Sequence, residues 1–442
     1  MKRKLKLMAA FLAVLCLLGM QTLLAQDTRK ITLKEAVSLG VANSHLLKNN
    51  QAKIDEAAAA LREANERKLP DFSVSGSYLY LPVKPNLRLK TNAAANGGAS
   101  PNISRASFGI ASASLPIFTG GKLKYGVQSA AYLEQAARLD ADENKEAVIL
   151  NTISAFSNLY KSAAAVGLVK DNLEQSNQRL KDFVNFEKNG LMARNDLLKA
   201  ELQSSNIELA LLDAESNFKL ASVNMSLMLG LPEQTLLVPD STGLQQTNVL
   251  KTIDAYEQLA SMQRKDAGAL ALRAKAAGLG IQSVKADYYP SLALTAGYIA
   301  ANVPGFLTLT NAVNIGVGVK YDIGSLWKTK SKIAQAEARL RHLTASQQML
   351  DDDIRLQINQ AYQACFLSQK KIRVYQKAVE QANENYRITK NKYDNALATT
   401  TDLLDADVAR LQTKLNLANA SADAVVAYNK LLQAAGILND NQ

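Results

Sequence analysis

Cysteine and histidine are almost missing from this 442-residue chain, which has two of each. Cys16 lies in the N-terminal apolar run, so Cys365 stands alone once that run is removed. An intramolecular disulfide and a thiolate metal cluster are then excluded. His45 and His342 are far apart in sequence and read as surface or packed helix residues rather than metal ligands. No Gly-rich phosphate loop, nucleophile elbow or zinc-binding helix motif is present, which argues against an enzyme and gives no cofactor to expect. Past the N-terminus there is also no apolar run long enough for a spanning helix. Any hold on a membrane must therefore come from strands.

The N-terminus supplies what the rest lacks. Lys2, Arg3, Lys4 and Lys6 form a basic segment, Met8 to Met20 an apolar one, and Leu23-Leu24-Ala25 ends on a small residue. This is the pattern of an export signal over residues 1–25, cut after Ala25. A retained anchor is the other reading, against which the run is short. Lipidation at Cys16 is disfavoured because Leu15 precedes it where a small residue is needed. The net charge is +11, and the four basic leader residues account for part of it. An exported chain without an aromatic–basic cluster is not expected to meet nucleic acid. Contact with anionic lipid or lipopolysaccharide, or a merely solvated surface, is left to explain the surplus.

The chain repeats itself. One constant shift carries Glu174-Gln175 onto Glu380-Gln381, Asn189-Gly190-Leu191 onto Asn395-Ala396-Leu397, and Asp196-Leu197-Leu198 onto Asp402-Leu403-Leu404. The same shift carries Ile117 and Lys122 onto Ile323 and Lys328, and Gly230 onto Gly436. A larger shift carries Pro70 and Tyr78 onto Pro290 and Tyr298. The difference is an insertion in the first copy between Leu81 and Ala106, a stretch rich in Pro, Asn and Gly and hence a loop. Two structural repeats result, 26–235 and 236–442, and internal duplication of this kind dictates architecture.

Within each repeat a strand hairpin is expected, over 70–118 and 290–324. Phe72, Val74, Tyr78 and Tyr80 alternate with Ser73, Ser75 and Ser77, and Val313, Ile315, Val317 and Val319 alternate with Asn314, Gly316 and Gly318. That period of two marks a strand with one apolar and one wet face. The face assignment of Ala106 to Phe118 is open. Each strand is about 10 residues, the length of a tilted membrane-spanning strand. A water-soluble hairpin is the alternative, and the export signal and strand-end tyrosines favour the membrane. The rest is predicted helix: two long ones, Gly121 to Asn189 and Trp327 to Asn395, each about 100 Å at 1.5 Å per residue. Shorter ones flank them at roughly Lys34 to Leu69, Asn195 to Leu229, Ile253 to Tyr289 and Thr401 to Ala435. Helices of this length need coiled-coil neighbours. Lipid-exposed strands must close into a barrel, and single-chain barrels start at about eight strands. Four strands per chain therefore require sharing, with two or three chains.

Leu115-Pro116-Ile117-Phe118-Thr119-Gly120-Gly121-Lys122, the paired hairpins and the run from Asn189-Gly190-Leu191 to Asp196-Leu197-Leu198-Lys199-Ala200-Glu201 resemble the TolC family of outer-membrane efflux proteins. The resemblance covers essentially the whole mature chain. It implies a mainly α fold with a membrane β-barrel: long coiled-coil helices in a periplasmic α-barrel, and four strands per chain in a shared twelve-stranded barrel. It further implies a homotrimer in the Gram-negative outer membrane, docked by a periplasmic adaptor, fed by an inner-membrane pump, and serving efflux or type I secretion. The tips of the family's tunnel fall here on turns 189–195 and 395–401. Asp402 and Asp405 match aspartates that ring the family's constriction, and such carboxylates favour cations. Asp402 also reads simply as a favourable acid in a first helical turn. Asp196 and Tyr393 match residues that hold the tip shut, and Ala398 stands where the family has an arginine. Gly190, Leu191, Ala396 and Leu397 match the adaptor-docking tips, with Ala396 in place of the usual glycine.

A periplasmic coiled-coil adaptor or scaffold without a barrel is the alternative function. It is disfavoured by the strand pairs and by the lack of lipoyl-like segments. Asp351-Asp352-Asp353 sits mid-helix with no spaced partner and reads as a solvated face, not a metal site.

Overall fold

The computed structural model describes residues 28–83, 103–240 and 249–438. The expected leader over 1–25 and most of the first-copy loop insertion lie outside the described residues. In chain order the elements are β1 (Thr28–Ile31), α1 (Leu33–Asn43), α2 (His45–Glu66), β2 (Asp71–Tyr80), β3 (Arg105–Phe118), α3 (Lys122–Lys188) and α4 (Arg194–Leu229). There follow β4 (Leu236–Pro239), α5 (Ile253–Gln263), α6 (Lys265–Lys285), a 3-10 turn (Ala286–Tyr288), β5 (Ser291–Val303), β6 (Leu307–Lys320), α7 (Ser325–Asp394) and α8 (Thr400–Ala434). Among the described residues no helix is long and apolar enough to cross a membrane.

The chain divides into two compact units. One comprises Asn50–Ala141 and Lys265–Asp351 and contains the four-stranded antiparallel sheet, in the order β2-β3-β5-β6. Its register resolves the open face of β3. Phe72 lies opposite Ala113 and Val74 opposite Ala111. Ala111, Ala113 and Leu115 in turn face Tyr298, Ala296 and Leu294. Those three face Val313, Ile315 and Val317. Side chains at directly opposed positions share a face, so one apolar surface runs across all four strands. The other face gathers Ser73, Ser112, Thr295 and Gly316, with Ser73 Oγ and Ser112 Oγ 2.8 Å apart. Ile110 and Phe108 fall on this second face opposite Ser75 and Ser77, which is why alternation in β3 was illegible.

Two irregularities shape the sheet. The β3–β5 register shifts between Pro116 and Phe118; Pro116 has no N–H for the ladder, so the strand bulges there. The β5–β6 register shifts between Ile299 and Ala301. Asn311 opposite has φ +59°, a left-handed conformation that Asn tolerates better than most residues. In the same unit α3 packs on α6: Ser129 Oγ donates to Ala276 O at 3.1 Å, and Arg273 pairs with Asp140.

The other unit comprises Met1–Asn49, Asp142–Arg264 and Asp352–Gln442. Its core gathers Ile31, Ala36, Phe156, Leu159, Met225, Leu229 and Leu237 from β1, α1, α3, α4 and β4. β1 pairs with β4 in parallel, Thr28 against Leu236. Ser222 Oγ accepts from Leu237 N at 2.9 Å and donates to Thr235 O at 3.2 Å, which fixes β4 on α4. This small sheet was not expected from sequence, since four-residue strands are too short to show alternation.

The expected helix over 34–69 is in fact two, and so is that over 253–289. Ser44 breaks the first with extended backbone at φ −60°, ψ 120°. Its hydroxyl accepts from Leu47 N at 3.3 Å and starts α2. Arg264 breaks the second at φ −61°, ψ 119°. Its guanidinium donates to Gln357 Oε1 at 3.0 Å and Ala434 O at 3.3 Å. The shift that pairs Pro70 with Pro290 also pairs Ser44 with Arg264, so both copies break at one equivalent point.

Candidate functional site: the helix-turn tips

Both tips are built by one backbone device. α3 ends with Gly190 N donating to Glu187 O at 2.9 Å and Leu191 N to Phe186 O at 2.8 Å. α7 ends with Ala396 N donating to Tyr393 O at 2.9 Å and Leu397 N to Lys392 O at 2.7 Å. This pair of bonds is the Schellman motif, whose turning residue is left-handed. Gly190 has φ +70° and Ala396 φ +60°. Even the side-chain caps repeat, with Asn189 Nδ2 to Asn185 O and Asn395 Nδ2 to Asn391 O both 2.7 Å. The device leaves Leu191 76% and Leu397 77% exposed. Each turn thus presents one large apolar side chain to solvent.

The return helices start differently. Ala193 precedes α4 and offers no side-chain cap, whereas Thr399 forms a capping box with Asp402. Asp402 N donates to Thr399 Oγ1 at 3.2 Å, and Thr399 N donates to Asp402 Oδ2 at 2.9 Å. Thr399 Oγ1 also donates to Asp402 Oδ2 at 2.7 Å, and this bond, with that from the Thr399 backbone N–H, holds the Asp402 carboxyl below its ordinary range. Asp405 is exposed, as Asp402 is, and lies three residues on, so both carboxylates share one helix face. Asp196 pairs with Lys199 at 3.2 Å, and Lys199 Nζ also donates to Thr401 Oγ1 at 3.3 Å. That lysine ties the first tip to the second.

Tyr393 is held against Phe183, their ring centroids 5.7 Å apart. Phe183, Leu197, Ala200 and Leu403 form the apolar cluster beneath both turns. Burial first, then the negative charge of Asp196 and Asp394, raises the Tyr393 phenol above its ordinary value; a hydrogen bond with the Thr400 side chain and the charge of Arg179 oppose this. The structure therefore brings Tyr393, Asp196 and Thr400 together, while Asp402 and Asp405 lie on an exposed face of the same end of α8. At the position of the family's arginine, Ala398 contributes no charge.

Sequence reasoning missed the buried charged group of this region. Asp407 is 3% exposed and accepts from Arg179 Nη2 at 2.8 Å and from Arg410 Nη2 at 2.7 Å. Asn172 Nδ2 donates to it at 3.2 Å, and Arg410 Nη2 also donates to Gln175 Oε1 at 2.6 Å. The Arg410 guanidinium lies over the Tyr386 ring, 3.8 Å from its centroid. Burial works against the Arg179 charge, yet Asp407 and the Tyr386 hydroxyl outweigh it and raise the guanidinium pKa. A signal existed: the repeat shift sets Asn172 against Ala378, Arg179 against Asn385, and Arg410 against Ser204. The knot is made where the copies differ.

Elsewhere His45, His342 and Asp351–Asp353 are exposed. Among the described residues no group of three His, Cys, Asp or Glu is placed to hold a metal ion. The chemistry on offer at the tips is a carboxylate field, an apolar contact point and a buried ionic knot.

A four-stranded sheet with one apolar face, carried on long paired helices, is the fold of an outer-membrane channel subunit. The comparisons make that specific: the chain belongs to the outer membrane efflux protein family, whose model matches residues 36–231 and 257–437. It is 25% identical to nodulation protein T of Rhizobium leguminosarum bv. trifolii over 90% of this chain and 84% of that one. The outer membrane protein VceC of Vibrio cholerae shares the fold with a TM-score of 0.75 at 19% identity, covering 91% of this chain and 96% of that one. The CmeC outer membrane channel of Campylobacter jejuni does so with a TM-score of 0.74 at 18% identity, covering 93% and 87%. The protein is thus an outer-membrane efflux channel component that extends into the periplasm, and not an enzyme.

Proposed function

We propose that three copies of the chain form one passive exit duct, with twelve strands closing a barrel and the long helices lining a periplasmic tunnel. The observation that carries this is the sheet register, which assembles a single apolar face from four strands that cannot close alone. The outer edges are free for neighbours, since β2 and β6 each pair on one side only among the described residues. Exposed apolar stripes on two helices support the same reading. On α4, Leu202 and Leu209 are 65% and 60% exposed, and Leu220 and Leu227 are 65% and 57%. On α7, Leu367 and Val374 are 52% and 64% exposed. Each pair is one heptad apart, the spacing of a coiled-coil seam waiting for a second helix.

In this reading the two segments matched by the family model are the two copies of the repeat, 26–235 and 236–442. Asp402 and Asp405 ring the constriction, Asp196 and Tyr393 help hold it shut, and the tips at Gly190, Leu191, Ala396 and Leu397 receive a periplasmic adaptor. An inner-membrane pump delivers the cargo. Light scattering of the detergent-solubilised protein tests the assembly, with three chains expected per particle. Leu202→Glu with Leu209→Glu should yield smaller particles, as charge at a seam repels the partner helix. A monomer that stays soluble without detergent overturns the proposal.

A further inference from the structure

One end of the sheet carries a pattern that the duct alone does not use. Asp71, Phe118, Leu292 and Lys320 lie at that end by register, where the strands join the helices. There Asp287, in the 3-10 turn before β5, accepts from Lys122 Nζ at 2.8 Å and from Lys332 Nζ at 3.1 Å. The starts of α3 and α7 therefore meet at one carboxylate. Asp287 is 19% exposed. Burial raises its carboxyl pKa, and the two lysines more than offset this and hold it below the usual range.

That carboxylate is taken, and lysines remain. Lys124 in α3, Lys285 in α6, Lys320 at the end of β6, and Lys328 and Lys330 in α7 lie within a few residues of this junction along the chain; all are exposed, and none forms an ion pair among the described residues. The nearby Asp322 carboxylate accepts from Gly324 N at 3.0 Å. Neither α3 nor α7 has an acid in its first turn. Lys124 and Lys328 stand in those first turns and oppose the helix dipole, so local stability does not account for them; Lys285, in the last turn of α6, is favoured by its dipole. Beside them stands a band of exposed aromatic and apolar side chains: Trp327 at 64%, Ile323 at 63%, Ile117 at 61%, Tyr289 at 60% and Tyr321 at 41%. Tyr321 continues the apolar alternation of Val317 and Val319, so the band is contiguous with the apolar sheet face.

We propose that this junction is a collar for anionic phospholipid headgroups of the periplasmic leaflet. Trp and Tyr settle at the headgroup level of a bilayer, and lysines beside them hold lipid phosphate. Charge complementarity selects an anionic lipid over a zwitterionic one. Continuity with the apolar face selects a bilayer over free phosphate, and the helical end of the strands selects the periplasmic leaflet. The inference rests on the barrel of the proposed duct.

Trp327 is the only tryptophan in the sequence and so reports on the collar directly. The full chain is reconstituted into phosphatidylcholine vesicles that contain a minor, fixed fraction of brominated phosphatidylglycerol or of brominated phosphatidylcholine. Bromine quenches tryptophan on contact. The anionic quencher is expected to act about twofold or more strongly at equal fraction, given the attraction of each lysine for an anionic surface. Lys124→Gln, Lys328→Gln and Lys330→Gln together should bring the two lipids to parity. Equal quenching in the unsubstituted protein overturns the proposal, as does an excess that survives the triple substitution. Absence of quenching by either lipid also overturns it, because the collar then lies off the bilayer. Conductance of the same vesicles separates the two readings: loss of conductance counts against the duct, while parity in conducting vesicles counts against the collar alone.

Discussion

Ala396 holds a left-handed φ of +60° where its counterpart in the first tip is Gly190. A Cβ in that region costs about 1–2 kcal/mol, which glycine avoids. Ala396→Gly should therefore stabilise the second tip by about 1 kcal/mol, and Gly190→Ala should destabilise the first by a similar amount. Nothing lies within 4 Å of a Cβ built on Gly190, so backbone strain alone is tested there. Amide exchange at the two turns measures both, and equal exchange before and after substitution contradicts the reading. The ionic knot gives a sharper asymmetry. Asp407→Ala leaves both Arg179 and Arg410 without their counter-ion; removing a buried partner typically costs about 3–5 kcal/mol. Arg179→Met leaves Asp407 paired with Arg410 and should cost less. A denaturant series that ranks the two in the opposite order contradicts this account. Sequence showed the knot only as differences between the copies and as the i,i+3 spacing of Asp407 and Arg410, because its members come from α3, α7 and α8. The roles of Asp402, by contrast, were both legible: the acid in the first turn is seen in the capping box, and the pore role stands as the proposal.

Elements were read well where periodicity is long and poorly where a single residue decides. The long helices and the paired hairpins follow from sustained patterns of 3.6 and 2. Ser44 and Arg264 break two expected helices although neither is Gly or Pro; a local cap to Leu47 N marks the first break and tertiary hydrogen bonds mark the second. The faces of β3 were obscured by Ile110 and Phe108 on the serine side, and only cross-strand register separated them. At this scale the capping box predicts a pH dependence. The Asp402 carboxyl is held below its ordinary value, so its contribution is present above the unfolded value near about 3.9 and is lost as pH falls through the folded value. The first turn of α8 should then lose amide protection on acidification more than the first turn of α4, which has no side-chain cap. Thr399→Ala should remove the difference. Equal loss at both turns in the unsubstituted protein would show that the box does not control the turn.

At the scale of the whole molecule, duplication explains the economy of the design. Each copy supplies one hairpin, one long helix and its shorter partners, and neither can close a barrel or cover its exposed leucines. Equivalent turns and equivalent breaks recur in both copies, while the charged knot is made once, between the copies, and the capping box occurs in the second only. The duct reading therefore depends on assembly, which no single chain displays. Planar-bilayer recording across a potassium chloride gradient tests it most directly. The account predicts discrete current steps whose reversal potential marks cation preference, with Asp402→Asn and Asp405→Asn together moving that potential towards zero. Absence of current from the intact protein, or anion preference, would contradict it.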